Sequence, residues 1–159
     1  MKALTRRRFT LSAAGLLLAR GAFAEAPRRF PLTLTDKEWR EKLSPAQFRV
    51  LREHGTERAG TSPLNAEKRR GVFHCAGCDQ ALFDSKTKFD SGTGWPSFYA
   101  PIEGAVGTTT DRSFFMTRTE VHCSRCGGHL GHVFDDGPPP TGKRYCMNGV
   151  AMTFEPAET

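Results

Sequence analysis

Four of the five cysteines in this 159-residue chain fall into two pairs, Cys75-x-x-Cys78 and Cys123-x-x-Cys126. No other feature restricts the fold as much. Zinc is satisfied by four thiolates at roughly 2.3 Å, and a two-residue gap lets both sulfurs of one turn face the same ion. The 44 residues between Cys78 and Cys123 exceed a zinc-ribbon spacing, so the site would tie distant strands together. A closed four-thiolate shell leaves no position for water, which makes such a metal structural. A redox dithiol and an iron centre are the other readings. The two motifs are embedded in a short repeat, Phe73-His74-Cys75-x-x-Cys78 and Val121-His122-Cys123-x-x-Cys126, with Leu82 and Leu130 each four residues past the second cysteine. Each copy reads as a strand running into a metal-binding turn. His74 and His122 are strand residues beside the site or substitute ligands.

The fifth cysteine, Cys146, stands alone in Lys143-Arg144-Tyr145-Cys146-Met147-Asn148-Gly149. If this run is a strand, Arg144, Cys146 and Asn148 share one face, and Tyr145, Met147 and Gly149 the other. Arginine beside a thiol favours the thiolate, and asparagine can hold a polar substrate or charged intermediate. The competing reading is a buried cysteine that fills a gap. His129 and His132, three apart and just past the second cysteine pair, are candidates for proton delivery to a group held near Cys146. Trp95, in the Gly-rich stretch before Pro96, is a core aromatic or the wall of a small apolar pocket. Asp136 orients a histidine or is a solvated turn residue.

The basic balance of the whole chain is local. Lys2, Arg6, Arg7, Arg8 and Arg20 lie in residues 1–24, which contain no acid; without them the 23 basic residues fall to 18, against 17 acidic ones. This near-neutral remainder removes the argument for a nucleic-acid partner. Arg6-Arg7-Arg8-Phe9, an apolar run from Leu11 to Ala19 and Ala22-Phe23-Ala24 read as a twin-arginine export signal, with cleavage expected after Ala24 and a periplasmic destination. The apolar run is too short to span a bilayer, so no membrane association is expected after cleavage. An oxidising compartment favours disulfides; a protein exported already folded would arrive with its thiolates occupied by metal.

Residues 25–34, with Pro27 and Pro31, read as a lead-in, and residues 35–157 as one domain. Thr35-x-x-Glu38 is a capping box that starts a helix burying Trp39 and Leu43. Ser44-Pro45-x-Gln47 starts a second helix, with Phe48 and Leu51 on one face and Gly55 as its stop. From Gly71 the texture changes to short apolar, β-branched runs separated by Gly, Pro, Asp and Ser: Val72 to His74, Ala81 to Phe83, Ser113 to Thr117, Val133-Phe134 and Tyr145 to Phe154. That is how a mainly β, antiparallel-sheet protein reads.

Several of these stretches together resemble one family. Ser91-Gly92-Thr93-Gly94-Trp95-Pro96-Ser97-Phe98, the run from Cys123 to Phe134, Asp136-Gly137-Pro138, Arg144 to Asn148 and His54-Gly55-Thr56-Glu57 are similar to motifs of methionine sulfoxide reductase B. The similarity extends over roughly residues 35 to 155. It implies two antiparallel sheets in a tent-like β-fold with short N-terminal helices, and one structural zinc on Cys75, Cys78, Cys123 and Cys126. It also implies Cys146 as nucleophile and reduction of the R epimer of methionine sulfoxide, free or in proteins. In that reading His129, His132, Asn148 and Arg144 assist Cys146, and Trp95, Phe134 and Asp136 hold the substrate. Many members carry a resolving cysteine where this chain has Thr93. A sulfenic acid on Cys146 would then be reduced directly by a thioredoxin-like protein or a small thiol. The chain is expected to be a monomer. Two alternatives remain: a non-catalytic zinc-stabilised binding module, and a thiol–disulfide oxidoreductase working through one Cys-x-x-Cys pair.

Overall fold

The two helices begin where their capping residues place them. In the computed structural model, which describes residues 29–113 and 116–158, α1 spans Asp36–Lys42 and α2 spans Pro45–Glu53. The Thr35 N–H donates to Glu38 Oε2 at 2.7 Å and the Glu38 N–H returns a bond to Thr35 Oγ1 at 3.3 Å. Ser44 and Gln47 repeat the exchange at 3.0 and 3.2 Å. Trp39, Leu43, Phe48, Val50 and Leu51 are the residues these helices bury. The end of α2 differs from expectation. The left-handed residue there is His54, with φ of 53°, while Gly55 is needed for closeness: a Cβ on it would sit 2.8 Å from the Arg49 carbonyl oxygen.

Among the described residues nine strands follow: β1 (Gly71–Cys75), β2 (Ala81–Asp84), β3 (Lys88–Phe89), β4 (Ser97–Phe98), β5 (Val106–Asp111), β6 (Arg118–Cys123), β7 (His129–Phe134), β8 (Arg144–Met147) and β9 (Met152–Pro156). They form two antiparallel sheets, one ordered β2-β1-β9 and the other β3-β4-β8-β7-β6-β5. Phe98 joins them. Its ring stacks on Phe83 of β2 at 4.3 Å and meets Phe73 of β1 edge-on at 4.9 Å, and all three are fully buried. Such ring pairs add to their area burial.

Two expected strands are corrected. The run from Ser113 to Thr117 lies in the connection between β5 and β6, with Phe114 and Phe115 outside the described residues. The strand before it, β5, went unread because its Val-Gly-Thr-Thr-Thr-Asp sequence forms a half-exposed edge with no apolar alternation. The run from Tyr145 to Phe154 is two strands, split by a 3-10 turn at Gly149–Ala151, and the two belong to different sheets. The proposed export signal lies outside the described residues, among which no helix is long and apolar enough to cross a membrane.

Candidate active site and metal centre

The repeat seen in the sequence is also a repeat of backbone. The Asp79 N–H bonds to the Cys75 carbonyl at 2.8 Å, and the Gly127 N–H to the Cys123 carbonyl at 2.9 Å. Asp79 and Gly127, each just past a second cysteine, both take positive φ, 62° and 69°. One turn leaves β1 and the other leaves β6, so the two sheets each supply half of one cluster. The four sulfurs lie within 4.8 Å of one another and all four residues are buried. Cys75 and Cys126 sulfurs are 3.7 Å apart, and Cys78 and Cys123 sulfurs 3.5 Å. A disulfide needs about 2.0 Å, whereas a tetrahedron of thiolates around an ion at roughly 2.3 Å has edges near 3.8 Å. The cluster therefore fits a metal ion. Hydrogen bonding to Cys123 pushes the Cys75 thiol far up, and hydrogen bonds from Cys126 and Cys75 hold Cys123 far below the ordinary thiol range. Binding a metal ion here requires the thiols to lose their protons to solvent.

Cys146 sits on β8, partly exposed, at the floor of a cleft of about 140 Å³. Thr56, Trp95, Arg118, His132, Phe134 and Asn148 stand around it. Sheet register brings them there. Ser97 of β4 pairs with Cys146, Cys146 with His132 of β7, and His132 with Glu120 of β6. Directly opposed residues share a face and touch. The Trp95 indole N–H donates to the Glu57 carbonyl at 3.2 Å, which holds the ring at the cleft wall. Thr93 Oγ1 is 3.8 Å from Cys146 Sγ.

The two histidines separate. His132 lines the cleft, with Nε2 bonded to Asp111 Oδ2 at 2.8 Å. Burial pulls its pKa below the ordinary value more than Asp111 raises it, so the ring is neutral at neutral pH and donates to the carboxylate. Asp111 is held low by Ser113 and His132, and Arg118 adds a bond at 2.7 Å. His129 is buried outside the lining, its Nδ1 bonded to Glu120 Oε1 at 2.7 Å, and His54 reaches the same oxygen at 2.9 Å. Burial raises the Glu120 carboxyl, but its bonds with His129 and His54 hold it well below the usual carboxylate range. The His129 ring lies 5.4 Å from that of His132.

Asp136 orients Arg144 rather than a histidine. It accepts from Nε and Nη2 at 2.8 Å each, which raises the guanidinium pKa and lowers that of the carboxyl. The guanidinium also lies over the Phe134 ring at 4.4 Å. Asn148 caps the turn after β8 instead of continuing the strand. Its Nδ2 donates to the Leu130 carbonyl at 3.0 Å and its Oδ1 accepts from the Glu57 N–H at 2.9 Å. Asp111, Arg118 and Glu120 escaped sequence reasoning, since only the pairing of β5, β6 and β7 puts them beside the histidines. Glu57 stood in the His54-Gly55-Thr56-Glu57 motif with no role assigned to it. Its carboxylate accepts from the N–H groups of Gly149 and Val150 at 2.5 and 3.0 Å.

Comparison with known proteins places this geometry in context. Residues 43–156 match the SelR domain. A peptide methionine sulfoxide reductase MsrB of Pseudomonas putida is 59% identical over 125 residues, covering 78% of this chain and 94% of that protein. The proteins of the same name from Agrobacterium fabrum and Methanosarcina barkeri are 56% and 55% identical, over 77% and 78% of this chain and 91% and 88% of their own lengths. The metal cradle, the two-sheet fold and these matches agree: the chain belongs to the SelR-domain family of peptide methionine sulfoxide reductases MsrB.

Proposed function

We propose that this chain is an oxidoreductase that reduces methionine-R-sulfoxide, free or within proteins, to methionine, with Cys146 as nucleophile. The observation that carries the reading is the composition of the Cys146 cleft, which is lined by Trp95 and Phe134 as well as by His132 and Arg118. A sulfoxide sulfur bears an oxygen, a methyl group and a chain. Apolar rings for the methyl and polar groups for the oxygen distinguish two epimers at one sulfur. The small volume admits a side chain rather than a larger ligand.

In this mechanism the Cys146 thiolate attacks the sulfoxide sulfur, and a protonated His132 gives a proton to the oxygen as the S–O bond weakens. Thiol and sulfoxide become sulfenic acid and thioether: Cys146 sulfur is oxidised by two electrons, methionine sulfur is reduced by two, and the oxygen ends on Cys146. His129 supports His132 from behind through the Glu120 pair, and Arg144, set by Asp136, stabilises the thiolate. Asn148 fixes the end of β8. With Thr93 in place of a second loop cysteine, two external thiols, from a thioredoxin-like protein or small molecules, return Cys146 to its thiol and release water. The metal proposed for Cys75, Cys78, Cys123 and Cys126 is zinc; it supplies a cross-link and no step, because four thiolates close its shell. We further propose that residues 1–24 direct export by the twin-arginine route to the periplasm. A mature N-terminus at Glu25 supports this, and an N-terminus retaining Arg6 to Arg8 in the periplasmic fraction rejects it.

Single turnover tests the activity. Reduced, zinc-loaded protein given each epimer without reductant should release about one methionine per chain from R and none from S. Cys146→Ser should release none. Absence of methionine from both epimers, with fold and metal intact, rejects the reductase in favour of a metal-stabilised binding module.

A further inference from the structure

Four side-chain atoms stand in single file from the interior to the cleft. The Ser97 hydroxyl, fully buried, donates to the Trp95 carbonyl at 3.1 Å. Ser97 Oγ lies 2.7 Å from Ser91 Oγ, and Ser91 Oγ lies 2.8 Å from Thr93 Oγ1. Thr93 Oγ1 in turn lies 3.8 Å from Cys146 Sγ. Each hydroxyl has one proton to donate and lone pairs to accept with. While the Ser97 proton rests on the Trp95 carbonyl, the file has one direction. Ser91 donates to Ser97, Thr93 to Ser91, and the Cys146 thiol to Thr93.

A thiolate has no proton to give, and it calls for a donor. Thr93 supplies one only by turning away from Ser91. Two oxygens at these separations cannot face each other with lone pairs alone, so Ser91 must then turn to Thr93, and Ser97 to Ser91, releasing the Trp95 carbonyl. We propose that Ser97, Ser91 and Thr93 form a reversible hydroxyl chain that positions Cys146 and reverses direction with the charge on its sulfur. Thr93 is then a positioning residue for the thiolate. The reversal also frees the backbone of Trp95, a residue of the cleft wall, so the sulfur's state is passed to the loop that holds substrate. The inference rests on Cys146 being the reacting thiol.

The charged groups around Cys146 come from elsewhere: Arg144 on its own strand with Asp136, His132 on β7 with Asp111, and Arg118 on β6. Substitutions in the loop leave these in place. Alkylation of Cys146 by iodoacetamide, followed by intact mass across pH on the reduced, metal-loaded chain, reads the thiolate directly; Cys146→Ser is the blank. Thr93→Val should move the midpoint of the rate-against-pH curve to higher pH and slow alkylation below it by roughly three- to tenfold. Thr93→Ser, which keeps the hydroxyl, should follow the wild type. Ser97→Ala should move the midpoint to lower pH, because the reversal no longer strips a donor from Trp95. Ser91→Ala, at a less buried position, should do the same if Ser97→Ala does not fold. A Thr93→Val curve that overlays the wild type, or serine variants that shift in the same direction as Thr93→Val, overturns the chain. This assay is blind to methionine sulfoxide, so a failure here leaves the reductase reading untouched and is told apart from a failure of turnover.

Discussion

His132 faces a sulfur on the neighbouring strand and a carboxylate on its other side, and burial decides its charge. In the proposed mechanism His132 must be protonated to act, and its pKa is held below its ordinary 6.5. The single-turnover rate should therefore fall as pH rises through a value below 6.5, a descending limb that stopped-flow measurement across pH would reveal. His132→Gln should abolish that limb and slow turnover by roughly 10²- to 10⁴-fold. His129→Gln, outside the cleft lining, should keep the limb. Thr93 offers a second residue-scale test. With its Oγ1 at 3.8 Å from Cys146 Sγ, a cysteine at this position would be within reach of the sulfenic acid proposed for Cys146. Thr93→Cys should finish one turnover with an intramolecular disulfide, where the wild type finishes with one added oxygen; intact mass before and after alkylation separates the two. Of these residues, the sequence showed Cys146, His132 and Thr93. It did not show that Asp136 serves Arg144, because a turn residue eight positions away gives no sign of which side chain it will meet.

Among the elements, local signals were legible and register was not. Both helix starts follow from capping residues within three positions of each other, so a reader of sequence finds them. The acidic partners of the histidines depend on β5 and β6 lying beside β7, and β5 carries no apolar alternation to announce it. The consequence for stability is testable. Glu120 is held below its ordinary 4.5 by two histidines, so its contribution is present above about pH 4.5 and lost as pH falls below it. Glu120→Gln should cost about 1–3 kcal/mol at pH 7 by urea titration, and the gap to the wild type should close as the medium is acidified. The turn between β8 and β9 makes a parallel case. Glu57 accepts from two of its N–H groups, and Glu57→Ala should cost about 1.5–3 kcal/mol by the same titration. Turnover should fall with it, because Asn148 and the Trp95 indole lean on the Glu57 backbone.

For the molecule as a whole, the cysteine cluster is the one bond between sheets that was written plainly in the sequence, since each half lies within four residues. Phe98 bridging Phe83 and Phe73 was not, because nothing in a two-residue strand says which sheet it will cover. Metal binding at such a cluster is worth on the order of 10 kcal/mol. A strong chelator, or Cys123→Ser, should abolish the cooperative thermal transition, as read by circular dichroism. Both sheets also share a topological property. β1 takes one of its two partners from β9, and β8 lies between β4 and β7. The Cys75 turn itself rests on the far side of that crossing, with Cys75 paired to Met152 and the Ala76 N–H bonded to the Ala151 carbonyl at 2.9 Å. On the ribosome, then, seven strands emerge before either sheet can be completed, and the nascent polypeptide must wait for the residues beyond 143 before its thiols find their permanent surroundings. Until that moment the four cysteines already made, Cys75, Cys78, Cys123 and Cys126, are exposed to chaperones, oxidants and stray metals alike, so the period of greatest chemical vulnerability for this protein is its own synthesis.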